Sequence, residues 1–166
     1  MPFAESLLTL AGFVFAHATW SVSDLPKGGL LVPLAIVEKS GQRQLLRFEA
    51  ESQERAISEG KATLAEHEQD LDAWAFAREG RVNEGGTYVD VLTIEAKSRG
   101  ASASVVFVQR FRPFASGGFK LLGQPTVSIG GKALSEAEAK PLLAQLLHGV
   151  QTHSKAAGHW PEWSAP

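Results

Sequence analysis

The sequence predicts an α+β protein in which a single antiparallel β-sheet of about five to six strands carries helices packed on one face. Three observations support this prediction. Apolar residues recur with helical spacing near both ends of the chain, short stretches between them alternate apolar and polar residues, and glycine-rich turns separate these stretches closely. Because short connections favour antiparallel neighbours, we expect a hairpin followed by a meander, in the order α-ββ-α-ββββ-α.

The first predicted element is a helix over residues 3–19. Its apolar positions form a stripe and a second flank: Phe3, Leu7, Leu10, Ala11, Phe13, Val14, Phe15 and Ala18. A helix that is apolar on most sides is normally covered on most sides. We therefore expect this helix to be sandwiched within the domain, or to present the flank that carries Phe13 to a partner.

The apolar run over residues 7–16 has the length of the hydrophobic region of a signal peptide. However, Glu5 precedes it and no Lys or Arg does, which is the wrong charge for export. No apolar run reaches the roughly 20 residues that a membrane-spanning helix needs. We therefore expect a cytoplasmic protein without membrane contact, and the absence of cysteine fits that reducing compartment.

Two strands, over residues 30–38 and 43–50, are expected to form a hairpin around a glycine-containing turn. A helix over residues 53–68 follows, because Ser52 is a residue type that favours the N-cap and an apolar stripe runs along the segment. Gly60 in mid-helix costs roughly 1 kcal/mol relative to alanine. We therefore expect the helix to approach the sheet closely at this residue.

The strand predicted over residues 71–78 alternates large side chains with alanines, and its alanine face is suited to a helix that lies close. The clearest hairpin of the chain comes next, with arms over residues 87–97 and 101–111. A last strand over residues 119–127 contains Pro125, which lacks a ladder donor. We therefore predict that this strand lies at the edge of the sheet.

A helix near the C-terminus is indicated by a capping box and by the leucine-rich stripe that follows it. This periodicity is lost after residue 150. We therefore divide the chain into a single α+β domain, residues 1–150, and a C-terminal tail, residues 151–166, that packs on the domain or on a partner. The tail residues Trp160 and Trp163 are, together with Phe13, the side chains that we expect to bind a partner.

Charge and motif content exclude several classes of function. The 16 basic and 18 acidic residues leave a formal net charge of −2, so no overall basic field attracts a nucleic-acid backbone. The lack of cysteine removes disulfides and cysteine-based metal sites. No phosphate-binding, serine-hydrolase or zinc-protease motif occurs. We therefore expect no nucleic acid, no metal and no cofactor, and we favour a protein that is not an enzyme.

Two groups of residues could form a ligand site. His17, Trp20 and Asp24 lie at the end of the first predicted helix and offer an imidazole, an indole and a carboxylate for a pocket or an acid–base pair. The second group consists of three arginines at strand ends: Arg78, Arg110 and Arg112. If their strands are neighbours, these guanidinium groups could grip a carboxylate or a phosphate.

A remote alternative is a metal-dependent nuclease. Glu95 and Lys97 lie two residues apart at a strand end, so they share a face, and they match the second half of the PD-(D/E)xK nuclease motif. Metal-assisted hydrolysis needs a further carboxylate, for which Asp72 and Asp90 are the candidates. No Pro-Asp pair precedes the motif, so half of the expected pattern is missing.

The sequence therefore favours a small non-catalytic binding domain that forms a homodimer or binds a protein partner through its apolar first helix or its tail. The alternative is a pocket that binds a small anionic ligand, or an enzyme, with His17, Asp24 and the sheet arginines as its functional groups.

Overall fold

The computed structural model describes residues 3–166, which form one seven-stranded antiparallel sheet and four α-helices. The strands are β1 (Leu34–Lys39), β2 (Gln42–Arg47), β3 (Ala73–Glu84), β4 (Thr87–Ser98), β5 (Val105–Arg112), β6 (Lys120–Ile129) and β7 (Lys132–Ala133). The helices are α1 (Glu5–Val22), α2 (Gln53–His67), α3 (Glu136–Gln151) and α4 (Ser154–Ser164). None of these four helices has the length and apolar character that a membrane crossing requires.

The strands lie side by side in the order β2-β1-β3-β4-β5-β6-β7, and every neighbouring pair is antiparallel. The predicted α+β class and the hairpin followed by a meander are therefore confirmed. The sheet has seven strands, against the five to six expected, because the two-residue strand β7 extends it and is too short to be recognised from alternation.

The main core lies between one face of the sheet and helices α1, α3 and α4. On β3 this face consists of the buried alanines Ala73, Ala75 and Ala77, so α1 lies close to the strand as the alternation predicted. Helices α1 and α3 also meet closely, at two glycines: a Cβ added to Gly12 would lie 2.8 Å from Cα of Gly149. Because the helices touch through backbone atoms, neither position has room for a side chain.

Helix α2 packs on the opposite face of the sheet, whereas we expected the helices on a single face. The reason is that Trp74 and Phe76 of β3 lie on the face opposite the alanines, and these large apolar side chains must also be buried. Helix α2 supplies Leu64 to this second core, and a Cβ added to Gly60 would lie 2.8 Å from the Phe76 ring. The close approach predicted at Gly60 is therefore confirmed.

Strand β7 pairs with the outer side of β6 only at Ser128 and Ile129, so no strand of the described chain lies outside the part of β6 that contains Pro125, as the edge prediction required. The pairing of β6 with β5 skips from Thr126 to Leu122, which leaves Pro125 in a bulge outside the ladder. The buried Gln109 lies opposite this bulge, and its side-chain amide donates to the carbonyl of Gly123 at 3.1 Å. The edge prediction therefore holds for the stretch around Pro125, and on its inner side a bulge and the Gln109 side chain replace ladder bonds to β5.

The tail without apparent periodicity contains helix α4. Its N-cap is His153, whose ring accepts a hydrogen bond from the backbone N–H of Ala156 at 3.1 Å. Histidine is not one of the residue types that favour this position. Trp160 and Trp163 on this helix are only 8% and 7% exposed and belong to the main core.

Candidate functional site

Helix α1 leaves one narrow stripe of its surface partly exposed. The residues of this stripe are spaced three or four apart and share one helix face: Thr9, Phe13, His17, Trp20 and Ser21. The ligand candidates His17 and Trp20 therefore lie beside the partner-binding candidate Phe13. Almost all other residues of the helix are buried in the main core.

His17 is paired with His153 at the start of α4. Its Nδ1 lies 3.1 Å from Nε2 of His153. Because the backbone N–H of Ala156 donates to Nδ1 of His153, that nitrogen carries no proton and the neutral ring is protonated on Nε2. His153 therefore donates to Nδ1 of His17, and the proton of neutral His17 is on its Nε2. The hydrogen bonds thus assign the tautomer of both rings.

Burial and positive charge lower the pKa of both histidines. For His17 desolvation is the largest cause, followed by repulsion from His153, Arg47 and Lys155. For His153 desolvation lowers the pKa most, a backbone hydrogen bond raises it, and Lys155 lowers it further. No carboxylate is among the groups that shift either pKa. The pair is therefore neutral at pH 7 and lies in a positive local field.

Cations surround the exposed aromatic rings of α1. The guanidinium carbon of Arg43 lies 5.4 Å from the centre of the Phe13 ring, and Nζ of Lys155 lies 4.7 Å from the centre of a Trp20 ring. Both distances are typical of cation–π contacts. Arg43 also forms an ion pair with Glu38 at 2.9 Å. We define the basic-aromatic surface by seven residues: Phe13, His17, Trp20, Arg43, Arg47, His153 and Lys155.

Strand β2 supplies Arg43 and Arg47 because alternate residues of a strand point to the same side. Arg47 pairs with Leu34 of β1, which belongs to the main core under α1. Both arginines therefore emerge on the α1 side of the sheet edge. Sequence reasoning did not include them in a site. Two arginines four residues apart on one strand, and therefore on the same face, are the signal that could have drawn attention to them.

Trp20, Asp24 and Arg112 meet at a second place, a cavity of about 420 Å³ that we name the α4 cavity. Helix α4 closes one side of this cavity with His159 and Glu162. Carboxylates, a guanidinium, an imidazole and aromatic rings therefore face one space. Trp20 belongs both to this cavity and to the basic-aromatic surface.

The three candidate arginines each have a different partner. Arg78 forms an ion pair with Glu95 at 3.2 Å, and Arg110 forms one with Glu84 at 2.8 Å. The guanidinium of Arg112 donates to two backbone carbonyls of the β5–β6 loop. These contacts do not direct the three guanidinium groups at a common point, and Arg112 is the one of the three that shares a cavity with Trp20 and Asp24.

Glu95 and Lys97 share one face of β4, as their spacing indicated, and both are held by other side chains. Glu95 binds Arg78 through one oxygen and accepts a hydrogen bond from the Ser104 hydroxyl at 2.7 Å through the other. Lys97 forms an ion pair with Glu68 at 2.7 Å. Within residues 3–166 no three histidine or acidic side chains are placed to hold a metal ion.

Trp160 and Trp163 point into the main core. The ring of Trp160 meets Phe15 edge-on at 5.0 Å between centroids, and Trp163 meets Phe119 at 5.6 Å. Little of either indole is left for a partner. Phe13 is the partly exposed member of the three partner-binding candidates.

Comparisons of this chain with protein-family models, with curated proteins and with solved structures found no significant match. The function is therefore inferred from the geometry of the chain itself.

Proposed function

We propose that this protein is a small non-catalytic binding domain whose basic-aromatic surface recognises an acidic segment of a protein partner. The observation that supports this most is the field at His17, because the charged neighbours that lower its pKa besides the neutral His153 are the cations Arg47 and Lys155. A carboxylate bound there interacts favourably with both cations at once. The absence of cysteine supports action in the reducing cytoplasm.

The charges of this surface are only partly neutralised. Arg43 has Glu38 as its ion-pair partner at 2.9 Å. Within residues 3–166, Arg47 and Lys155 have no carboxylate within ion-pair distance. An acidic segment would therefore supply partners that the protein itself does not supply.

The aromatic rings provide the apolar part of the surface. Phe13 and Trp20 are partly exposed on a helix that is otherwise fixed in the core, so their positions are set before binding. Tryptophan and arginine are enriched among the residues that contribute most to binding at interfaces. A partner segment in which acidic and apolar residues alternate would meet both kinds of group.

A second copy of the same surface is a poorer partner than an acidic segment. Two copies placed face to face would bring Arg47 and Lys155 close to their counterparts, and like charges at short range destabilise an interface. This argument favours a different protein over the homodimer that the apolar helix suggested. A nucleic acid is also acidic, but three cations are few beside the roughly six to ten phosphate contacts of many DNA-binding proteins.

The test is a titration with two short peptides of equal length, one alternating Glu and Leu and the other alternating Lys and Leu. We expect the Glu peptide to bind and the Lys peptide not to bind, as measured by calorimetry and by tryptophan fluorescence. The double variant Arg47→Glu/Lys155→Glu should weaken binding roughly tenfold or more. Each exposed charge pair contributes about 0.2–1 kcal/mol, and charge reversal adds repulsion.

The matched control is the double variant Lys132→Glu/Lys140→Glu, which changes the net charge equally at exposed positions of β7 and α3. Equal weakening by the two double variants would contradict the proposed surface. Tighter binding of a single-stranded oligonucleotide than of the Glu peptide would contradict a protein partner. A stable dimer in light scattering that Arg47→Glu abolishes would favour the homodimer instead.

A second candidate function is small-molecule binding in the α4 cavity. Its volume of about 420 Å³ lies in the range of ligand pockets, and it contains Trp20, Asp24 and Arg112. Because charges of both signs line it, this cavity suits a small zwitterion better than the simple anion expected from the sequence. His17 does not line it.

A thermal-shift assay with free amino acids as zwitterionic probes tests this second candidate. We expect at least one probe to raise Tm and the variant Asp24→Asn to remove the increase, because the carboxylate would pair with the ammonium group. Asp24 is exposed, so the variant should leave the fold intact. No increase in Tm at millimolar probe concentrations would rule out this function.

A further inference from the structure

A larger cavity, of about 640 Å³, lies on the opposite face of the sheet. Helix α2 forms one wall of this α2 cleft, the β4–β5 loop and the β6–β7 turn form the other, and strands β3 to β5 form its floor. The cleft exists because α2 covers the second face over β1 and β3, while no helix of the described chain packs on that face over β4 and β5.

Part of the α2 cleft is apolar. Ala103 and Val106 are partly exposed there, and Leu64, Trp74 and Phe76 are buried beneath its surface. This apolar part suits the apolar body of a small molecule, because ligand pockets bind chiefly by covering apolar surface.

The side chains that line the cleft carry more positive than negative charge. Two ion pairs lie there, Arg78 with Glu95 and Lys97 with Glu68, and the side chains of all four residues are about one fifth exposed. Lys61 of α2 adds a cation that has no ion-pair partner within residues 3–166. The excess cation indicates an anionic group on the ligand.

Trp74 provides a second, independent indication. Its indole N–H is the one buried side-chain donor or acceptor in the described chain that has no hydrogen-bond partner. Buried polar groups nearly always have a partner, so an acceptor that reached this nitrogen would be stabilising. Lys97 is the cross-strand neighbour of Trp74. An acceptor oxygen at the indole would therefore also lie near a cation.

We propose that the α2 cleft binds a small carboxylic acid with an apolar body, such as a medium-chain fatty acid. The hydrocarbon chain covers the partly exposed Ala103 and Val106. The carboxylate lies near Lys61 and Lys97 and accepts a hydrogen bond from the Trp74 indole, after the side chains that cover this nitrogen have moved aside. This site is independent of the basic-aromatic surface, which lies on the other face and takes a peptide.

The experiment is an NMR titration of the ¹⁵N-labelled protein with decanoate and with decanol. The four tryptophans give four indole signals, and Trp74→Phe identifies the one that belongs to Trp74. We expect decanoate to shift the Trp74 signal and Ser102→Trp, which fills the mouth of the cleft, to abolish the shift. Lys61→Gln should weaken decanoate binding roughly two- to fivefold without affecting decanol, as expected for a partly exposed charge pair.

The control is Lys140→Gln on α3, which removes the same charge outside the cleft. The proposal is overturned if millimolar decanoate leaves the Trp74 signal unmoved, or if the Trp20 signal moves in its place. Equal effects of Lys61→Gln and Lys140→Gln overturn it as well. If Ser102→Trp does not fold, the proposal is tested by whether decanoate shifts the Trp74 signal of the unaltered protein.

Discussion

Acidification should destabilise this protein through the His17–His153 pair. Each protonation removes a hydrogen bond. A proton on Nδ1 of His153 displaces the backbone N–H of Ala156, and a proton on Nδ1 of His17 faces the Nε2–H of His153. Burial first, and then the neighbouring positive charges, lower the pKa of His17, and burial lowers that of His153. Each histidine therefore binds its additional proton more weakly in the folded protein than in the unfolded chain.

The sign and size of the effect follow from proton linkage. In the unfolded chain both histidines bind protons with a pKa near 6.5. Because their pKa values are lower in the fold, the unfolded state binds more protons below about pH 6.5, and the free energy of unfolding falls as the pH falls. The slope approaches about 1.4 kcal/mol per pH unit for each histidine, or about 2.7 kcal/mol for both, until the folded pKa values are reached. A fall of one pH unit at this full slope would remove a large part of the roughly 5–15 kcal/mol that stabilises a typical domain.

Urea denaturation between pH 7.5 and 5.5, followed by circular dichroism, measures this slope. The decisive variant is His153→Asn, because asparagine can still accept the N-cap hydrogen bond of α4 and does not titrate. We expect it to remove about half of the slope and His17→Gln to remove a similar part. The exposed His148 on α3 provides the control, since His148→Gln should leave the slope unchanged.

Two results would refute this reasoning. One is a His153→Asn variant with the same slope as the unaltered protein. The other is a free energy of unfolding that rises between pH 6.5 and 5.5 in the variant Glu79→Gln, in which the raised pKa of the Glu79 carboxyl no longer opposes the effect of the histidines.

Three further predictions concern other parts of the chain. Gly12→Ala should lower the free energy of unfolding by about 1–3 kcal/mol or more, because the new Cβ would overlap the Leu146 carbonyl. Gly158→Ala, where the new Cβ meets open space, should raise the free energy of unfolding by roughly 0.5–1 kcal/mol. Thermal denaturation of both variants compares the two effects. Burial raises the pKa of Glu79 because it disfavours the charged carboxylate. Glu79→Gln, whose side-chain oxygen can still accept the hydrogen bond from the Leu31 N–H, should therefore raise the free energy of unfolding at pH 7–8. A lower free energy of unfolding in urea titrations would contradict this prediction. Binding of the Glu peptide should become tighter from pH 7.5 to 6.5 and should be accompanied by proton uptake. Calorimetry in buffers of different ionisation enthalpy measures this uptake. If no proton is taken up, the histidines do not belong to the interface.

The fold class could be predicted because the alternation of apolar and polar residues in strands, and the helical spacing of apolar residues, run along most of the length of several elements. Strand β3 alternates Ala73, Ala75 and Ala77 with Trp74 and Phe76, and both sets are buried against different helices. The alternation was visible in the sequence, but only its alanine face was used. The large residues on the other face were the signal for a helix on that side.

The tail and the bulge of β6 could not be read from residue type. Gly158 and Pro161 both disfavour a helix, yet α4 runs through them because Trp160 and Trp163 bury large rings in the core. In β6 the amide of Gln109 replaces ladder bonds near Pro125. In both places tertiary contacts outweigh local preference.

The candidate site could be predicted only in part, for a reason of distance along the chain. Phe13 was singled out as part of an apolar flank of the first helix, and His17 and Trp20 as part of a group at the end of the same helix. His153 meets His17 across 136 residues, and no local pattern reports such a contact. Lys155 joins the site for the same reason, since α4 carries it to Trp20.

The distribution of charge explains why composition and structure point to different partners. The cations of the basic-aromatic surface, taken with Glu38, carry a formal charge of +2, and the whole chain carries −2, so the remaining residues carry −4. Charges in solution act over about 8 Å at physiological ionic strength. A short acidic segment can therefore bind the surface without meeting the acidic remainder, whereas a long nucleic acid would be repelled by it. The net charge argues against an extended polyanion, and the fold brings together the cations of the surface for which we propose a small acidic partner.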